Sequence, residues 1–445
     1  MAKKCISVLL CVIMLCGLVI CPASAYMPSS FSVTAEGCLL ASLDNGTVLY
    51  EKNADERLYP ASLTKIMTAT VVLDLCDSPK DTVITVNQSA LTPLLGTDSS
   101  VIGLKDTEQL SALDLLYVLL VYSANDAANV LAEYFGGGSI SDFVTKMNEK
   151  AAELNMTGTH YVNPHGLHDS NHYTTPRDMY LLTKYALQNE TFKEIFGTVR
   201  YTLPATNLSK ARIIPTTVFM QDPNSMMPSA YYRYTTGGKT GYTDDAGRCL
   251  ITTATKGGVS YLCVLMKCPV TDASGKKVRY EFADAKNLYE WAFNDFEYRL
   301  IYDTQTPVGE CPVELSQESD HVALVLKRNV NAVIPKGTDH STIKIELELY
   351  HSPADAPIAK GQELGIATIQ YAGETIDTVP VVAMTDVEKS GLLAFVRTVT
   401  DLFTHPITKT ILLILAAVIF LFIAYCFWLN RHRKKRRRRS RVKLK

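Results

Sequence analysis

From Ile411 to Leu429 the chain runs nineteen residues without a charge, and eleven of its last fifteen residues are Lys or Arg. A bilayer core takes roughly 20 apolar residues to cross. The basic run after the span places that end in the cytoplasm by the positive-inside rule. Its charge would also suit nucleic acid, but its position directly after a hydrophobic span makes membrane orientation the better reading, with anionic-lipid contact as a by-product. Residues 1–25 read as a secretory signal peptide: Lys3 and Lys4, an apolar run from Ile6 to Ile20, then Ala23-Ser24-Ala25 as a cleavage site. Together these segments exclude a purely cytosolic protein. They predict a single-pass cell-membrane protein whose main body is extracytoplasmic and whose C-terminus is cytoplasmic.

Residues 26–409 remain to fold, enough for two buried cores. Thirteen of the 44 basic residues lie in the leader and tail, whereas all 45 acidic ones lie between, so this exported part carries a net charge of −14. No nucleic-acid partner is expected of it. Of eleven cysteines, four are in the leader and Cys426 is in the span. The other six (Cys38, Cys76, Cys249, Cys263, Cys268 and Cys311) show no paired spacing and read as buried free thiols.

Asp44-Asn45-Gly46 breaks an apolar alternation between Gly37 and Asn53, a hairpin signal. Helical periodicity dominates from Leu58 to Phe196, including a long apolar region from Leu113 to Phe135. Thr175-Pro176-Arg177-Asp178 has the cap, first-turn proline and acid of a helix start. Strands return at Tyr231, with Gly257-Gly258 turning a second hairpin. Strand, helices, strands is an α+β order in which the terminal segments share one antiparallel sheet. After Phe296 the pattern becomes all-β: Ile343 to Leu349 alternates strictly, and Ala372-Gly373 turns another hairpin. Gly391 to His405 carries Leu392, Phe395, Val396, Val399, Leu402 and Phe403 on one helical face, an interfacial helix closed by Pro406. The predicted organisation is signal peptide 1–25, α+β domain 26–295, β-rich domain 296–390, amphipathic juxtamembrane segment 391–408, transmembrane helix 409–430 and basic cytoplasmic tail 431–445.

Three short motifs carry chemistry. In Ser62-Leu63-Thr64-Lys65, helical spacing turns hydroxyl and amine to one side. A serine needs a base to attack at neutral pH, and lysine can be that base only when burial or nearby positive charge leaves it neutral. Alone, S-x-x-K is better explained by an exposed serine and a solvated lysine. Ser123-Ala124-Asn125 follows an apolar helix, however, and Lys239-Thr240-Gly241 opens a strand. The ordered trio S-x-x-K, S-x-N, K-T-G marks class A β-lactamases and penicillin-binding proteins.

With these motifs the sequence closely resembles the low-molecular-mass penicillin-binding proteins, the serine-type D-alanyl-D-alanine carboxypeptidases, from about Ser32 to Val387. Asn163-Pro164-His165-Gly166-Leu167, His172-Tyr173-Thr174-Thr175 and Lys239-Thr240-Gly241-Tyr242-Thr243 with Ala246-Gly247 belong to the likeness. Ala356-Pro357-Ile358-Ala359-Lys360-Gly361 with Gly365 looks like that family's β-rich C-terminal domain. The resemblance implies a β-lactamase/DD-peptidase-like α+β domain, a small all-β domain and a C-terminal membrane anchor. It implies an enzyme that removes the terminal D-alanine from peptidoglycan stem peptides ending in D-Ala-D-Ala, limits cross-linking, and is acylated by β-lactam inhibitors.

By the same resemblance Ser62 attacks, Lys65 takes its proton, and Ser123 relays a proton toward the leaving amine. Asn125 holds the substrate amide, while Lys239 and Thr240 bind the substrate carboxylate. Gly241 clears space along the strand edge, and the backbone N–H groups of Ser62 and Tyr242 form the oxyanion hole. Members commonly place an Arg or Asn upstream of the K-T-G strand. Here that segment reads Thr216-Thr217-Val218-Phe219-Met220, so no such residue is assigned. No cofactor is implied. His160, His165, His168 and His172 are interrupted by Pro164 and Gly166 and read as cleft-wall histidines rather than metal ligands. Asp244-Asp245 reads as turn solvation.

The competing enzyme is a serine β-lactamase, but Asn155 to His160, where a class A enzyme carries its deacylating glutamate, holds no acid. The non-enzyme alternative is a catalytically silent wall-binding membrane protein, which the intact trio argues against.

Overall fold

The computed structural model describes residues 28, 31–97 and 99–442, with side chains through 433. The expected signal peptide lies outside the described residues. The rest divides into two compact units: one ends at Arg299 and regains residues 331–338, and the other comprises 300–330 and 339 onward.

The first unit is built on a five-stranded antiparallel sheet. Its strands are β1 (Gly37–Ser42), β2 (Val48–Lys52), β7 (Thr235–Thr243), β8 (Gly247–Lys256) and β9 (Val259–Cys268), in the order β2-β1-β9-β8-β7. The N-terminal hairpin therefore pairs with the C-terminal one, Leu40 opposite Cys263. Two short antiparallel pairs, β3 (Val83–Thr85) with β4 (Gln109–Ser111) and β5 (Arg200–Leu203) with β6 (Arg212–Pro215), lie outside this sheet. Leu39, Ala41, Ile251 and Val264 face a helical core that contains Ile66, Leu119 and Leu131. Cys38, Leu40, Leu250 and Leu265 face the helix Tyr280–Asp295 through Phe282, Leu288 and Tyr289. A sheet covered on both faces needs apolar residues at every position, which is why β1 is buried throughout. Val333, returned from residues 331–338, fills the second of these cores.

The helix Thr64–Leu75 crosses the middle of the first core, and Thr64 to Val72 are all buried. A helix apolar all round has no solvent face, and so Lys65 has no exposed side to occupy. The apolar stretch after Leu113 is not one helix. Ala112–Tyr117 is α-helical, Val118–Tyr122 widens into a π turn, Ser123 takes the left-handed conformation (φ 71°), and a new helix runs from Asn125 to Phe135. π turns of this kind concentrate at functional sites.

The second unit holds a six-stranded sheet in the order 343–349, 363–371, 374–383, 321–326, 309–314, 354–355. All neighbours are antiparallel except the last pair. Helix Gly391–Thr404 exposes Leu392, Phe395, Val396, Leu402 and Phe403 and is capped by Ser390. Arg397 on this helix pairs with Glu314 and Asp355 of the sheet. Pro406 does more than end it, since it opens the next helix, Pro406–Val442, where a first-turn proline forfeits no hydrogen bond. Pro406–Arg433 is long and apolar enough to cross a membrane. Cys38, Cys76, Cys249, Cys263, Cys268 and Cys311 are all free and buried.

Candidate active site

Ser62 sits half-buried in the turn Ala61–Leu63 that leads into the helix Thr64–Leu75. Ala61 before it has φ 47°, a strained value for a residue with a Cβ. Lys65, one turn on, is wholly buried. Its Nζ lies 2.7 Å from Ser62 Oγ and 2.9 Å from the His165 carbonyl. Burial, and then the Lys239 charge, hold the Lys65 amine well below its ordinary pKa. An amine depressed in this way is suited to accept a proton from a hydroxyl at hydrogen-bond distance.

Lys239, from β7, is also fully buried, and burial pushes it down to about 7. Its Nζ donates to Ser123 Oγ at 2.8 Å and to the Thr240 carbonyl at 2.7 Å. Of the two lysines, Lys65 carries the additional repulsion from its partner. Neighbouring groups whose environments drive their pKa values apart take opposite acid and base roles.

Asn125 begins the helix after the π turn. Its Oδ1 is buried with no hydrogen-bond partner among the described residues, although an acceptor left so costs about 1–3 kcal/mol. Next to it, Asp126 accepts from the N–H groups of Ile102, Gly103 and Leu104, and Asn125 N donates to Ser100 O, tying the 100–104 loop to this corner.

β7 is the free edge of the sheet. A Cβ on Gly241 would stand 3.0 Å from Pro60 O and 3.2 Å from Ser62 N. The strand lies close against the Ser62 turn, and glycine eases that approach. Tyr242 points its ring to solvent, where its O–H donates to Asp244 at 2.5 Å and Arg248 covers the ring at 5.1 Å. Asp245 instead faces His168 at 3.6 Å, so the two aspartates serve separate contacts.

Four contributions are absent from the motifs. The His165 carbonyl orients Lys65. Val162 N donates to His172 Nδ1, which leaves the proton on Nε2 to donate to Thr64 Oγ1 at 2.8 Å. Thr64 in turn donates to Ala61 O. Burial holds His165 at about 3 and His172 at about 4, so both are neutral. Both side chains are buried; His172 holds Thr64 at the start of the helix, and the His165 backbone meets Lys65. Gly166, at φ 87°, lets the loop reach Ala61, whose carbonyl oxygen a Cβ would meet at 1.8 Å. Finally, Thr240 Oγ1 donates to Thr217 Oγ1 at 2.6 Å. Among the described residues no three His, Cys, Asp or Glu side chains gather as a metal site.

A serine hydroxyl against a buried neutral lysine, beside an edge strand with a second lysine, defines a serine acyl-transfer enzyme. Residues 24–269 match the D-alanyl-D-alanine carboxypeptidase family, and residues 296–389 match the C-terminal domain of penicillin-binding protein 5. The chain is 31% identical to D-alanyl-D-alanine carboxypeptidase DacF of Bacillus subtilis, over 83% of its own length and 90% of the relative's. It is 31% identical to DacC of Escherichia coli, over 81% and 86%. The crystal structure of penicillin binding protein 5 from Haemophilus influenzae matches with a TM-score of 0.64 at 28% identity, covering 82% of this chain and 100% of that one. The chain belongs to the D-alanyl-D-alanine carboxypeptidase family and is a serine-type peptidase of peptidoglycan metabolism.

Proposed function

We propose that Ser62 is the nucleophile that removes the terminal D-alanine from stem peptides ending in D-Ala-D-Ala, with Lys65 as its base. The observation that carries this reading is the 2.7 Å separation of Ser62 Oγ from a lysine wholly removed from water. Ser62 Oγ attacks the carbonyl between the two D-alanines as its proton passes to Lys65 Nζ. The developing oxyanion is held by the N–H groups of Ser62 and Tyr242, and losing one such donor typically costs about 100- to 1000-fold. Ser123, held by its hydrogen bond from Lys239, relays the proton taken up by Lys65 to the departing amine, which leaves Lys65 neutral again. Asn125 Oδ1, unpartnered in the free enzyme, accepts the substrate amide N–H. The peptide lies along β7 as an added strand, its carboxylate at Lys239 and Thr240. Water then attacks the acyl-enzyme, with Lys65 again taking a proton. Penicillins enter by the same acylation, and no carboxylate in Asn155–His160 speeds their release.

In this reading residues 26–295 form the catalytic domain and 296–390 the β-rich domain. The helix after Pro406 anchors the chain once, catalytic unit outside and basic tail inside, because carrying eleven cationic side chains across a bilayer costs roughly 3 kcal/mol each.

D-alanine release from a stem-peptide mimic tests the chemistry. The wild type releases D-alanine and Ser62→Ala releases none; release by a folded Ser62→Ala variant contradicts the assignment. Protease added outside intact cells tests the topology. It should degrade the catalytic unit and spare an epitope placed on the tail, and the reverse pattern would overturn the orientation.

A further inference from the structure

Thr217 follows β6 on a segment fixed at both sides. Thr216 N donates to Val199 O, Val218 and Met220 are buried in the core, and Thr217 N donates to Val121 O in the π turn that leads to Ser123. Its hydroxyl is thus held at the edge of β7, 2.6 Å from Thr240 Oγ1. A threonine hydroxyl has one proton and two lone pairs. Thr240 spends its proton on Thr217, and among the described residues Thr240 Oγ1 is the single hydrogen-bond partner given to Thr217 Oγ1. The proton at the end of this pair therefore belongs to Thr217. It lies beside Thr240, whose carbonyl binds the Lys239 ammonium.

We propose that Thr217 is the terminal hydrogen-bond donor to the carboxylate of the ligand, with Thr240 polarising it and Lys239 supplying the charge. This rests on the reading above in which the ligand carboxylate lies at Thr240. The hydroxyl relay strengthens the terminal O–H, and a carboxylate has enough lone pairs to accept from Lys239 and Thr217 together. Thr217 then discriminates between ligands that end in a carboxylate and ligands whose carboxylate is masked.

The test compares acylation by a penicillin free acid with acylation by its methyl ester, in the full-length protein. Thr217→Val should lower the second-order acylation rate for the acid about 10- to 100-fold, the worth of a hydrogen bond to a charged group, and change the ester's rate less than threefold. Thr217→Ser, which keeps the hydroxyl, should restore the acid's advantage. An unchanged acid rate in Thr217→Val overturns the proposal, as does an equal loss for acid and ester, which would mean a structural role. Neither result affects acylation of the wild type at Ser62, so failure of this inference is separable from failure of the mechanism.

Discussion

At the scale of single residues, the site holds two wholly buried lysines. Burial lowers both, and the Lys239 charge lowers Lys65 further. The consequence for pH has a definite sign. In the proposed mechanism Lys65 must be neutral to accept the Ser62 proton, so acylation rises with pH through its depressed pKa. There Lys239 binds the carboxylate as an ammonium, and burial pushes Lys239 of the free enzyme down to about 7. A bound carboxylate raises that pKa, so affinity falls as pH climbs above the free-enzyme value, by up to about tenfold per unit. The rate of acylation by a penicillin free acid should accordingly be bell-shaped with its falling limb beginning near 7. The methyl ester should show the rising limb alone. A falling limb of equal depth for the ester would mean that Lys239 does not act through the carboxylate. Lys65→Arg stays protonated throughout and should be acylated very slowly at every pH in this range.

At the scale of elements, what could be read from the letters was whatever is encoded over a few residues. Gly257-Gly258 marks a hairpin because both positions need positive φ, and they have 62° and 84°. Thr175 caps its helix through Asp178 N because a cap is a three-residue event. S-x-x-K works likewise, its two groups being one helical turn apart. The rest depends on contacts distant in sequence. Lys65 meets His165 across 100 residues, Thr64 meets His172 across 108, and Thr240 meets Thr217 across 23. No local pattern distinguishes a buried histidine from a cleft-wall one, or a threonine that binds ligand from one that ends a strand. The π turn was hidden for another reason. Val118 to Tyr122 is as apolar as its neighbours, and composition does not report which carbonyl each amide chooses. Gly241 was legible as part of the motif, but the close approach of Pro60 and Ser62 to β7 is tertiary.

At the scale of the whole molecule, each part has a composition suited to one surrounding. The first unit buries its sheet on both faces, and its only wholly buried lysines among the described residues, Lys65 and Lys239, are at the site. The second unit leaves an apolar helical face at Leu392, Phe395 and Phe403 exposed, one proline turn before a helix able to cross a bilayer. The central claim is that this assembly does its chemistry through one covalent bond to Ser62. The most direct measurement is mass spectrometry of the full-length protein after exposure to a penicillin, with the modified peptide then sequenced. The account predicts a single penicilloyl group, carried by Ser62 and missing from a folded Ser62→Ala variant. A penicilloyl group on any other residue, or undiminished labelling of that variant, would contradict it.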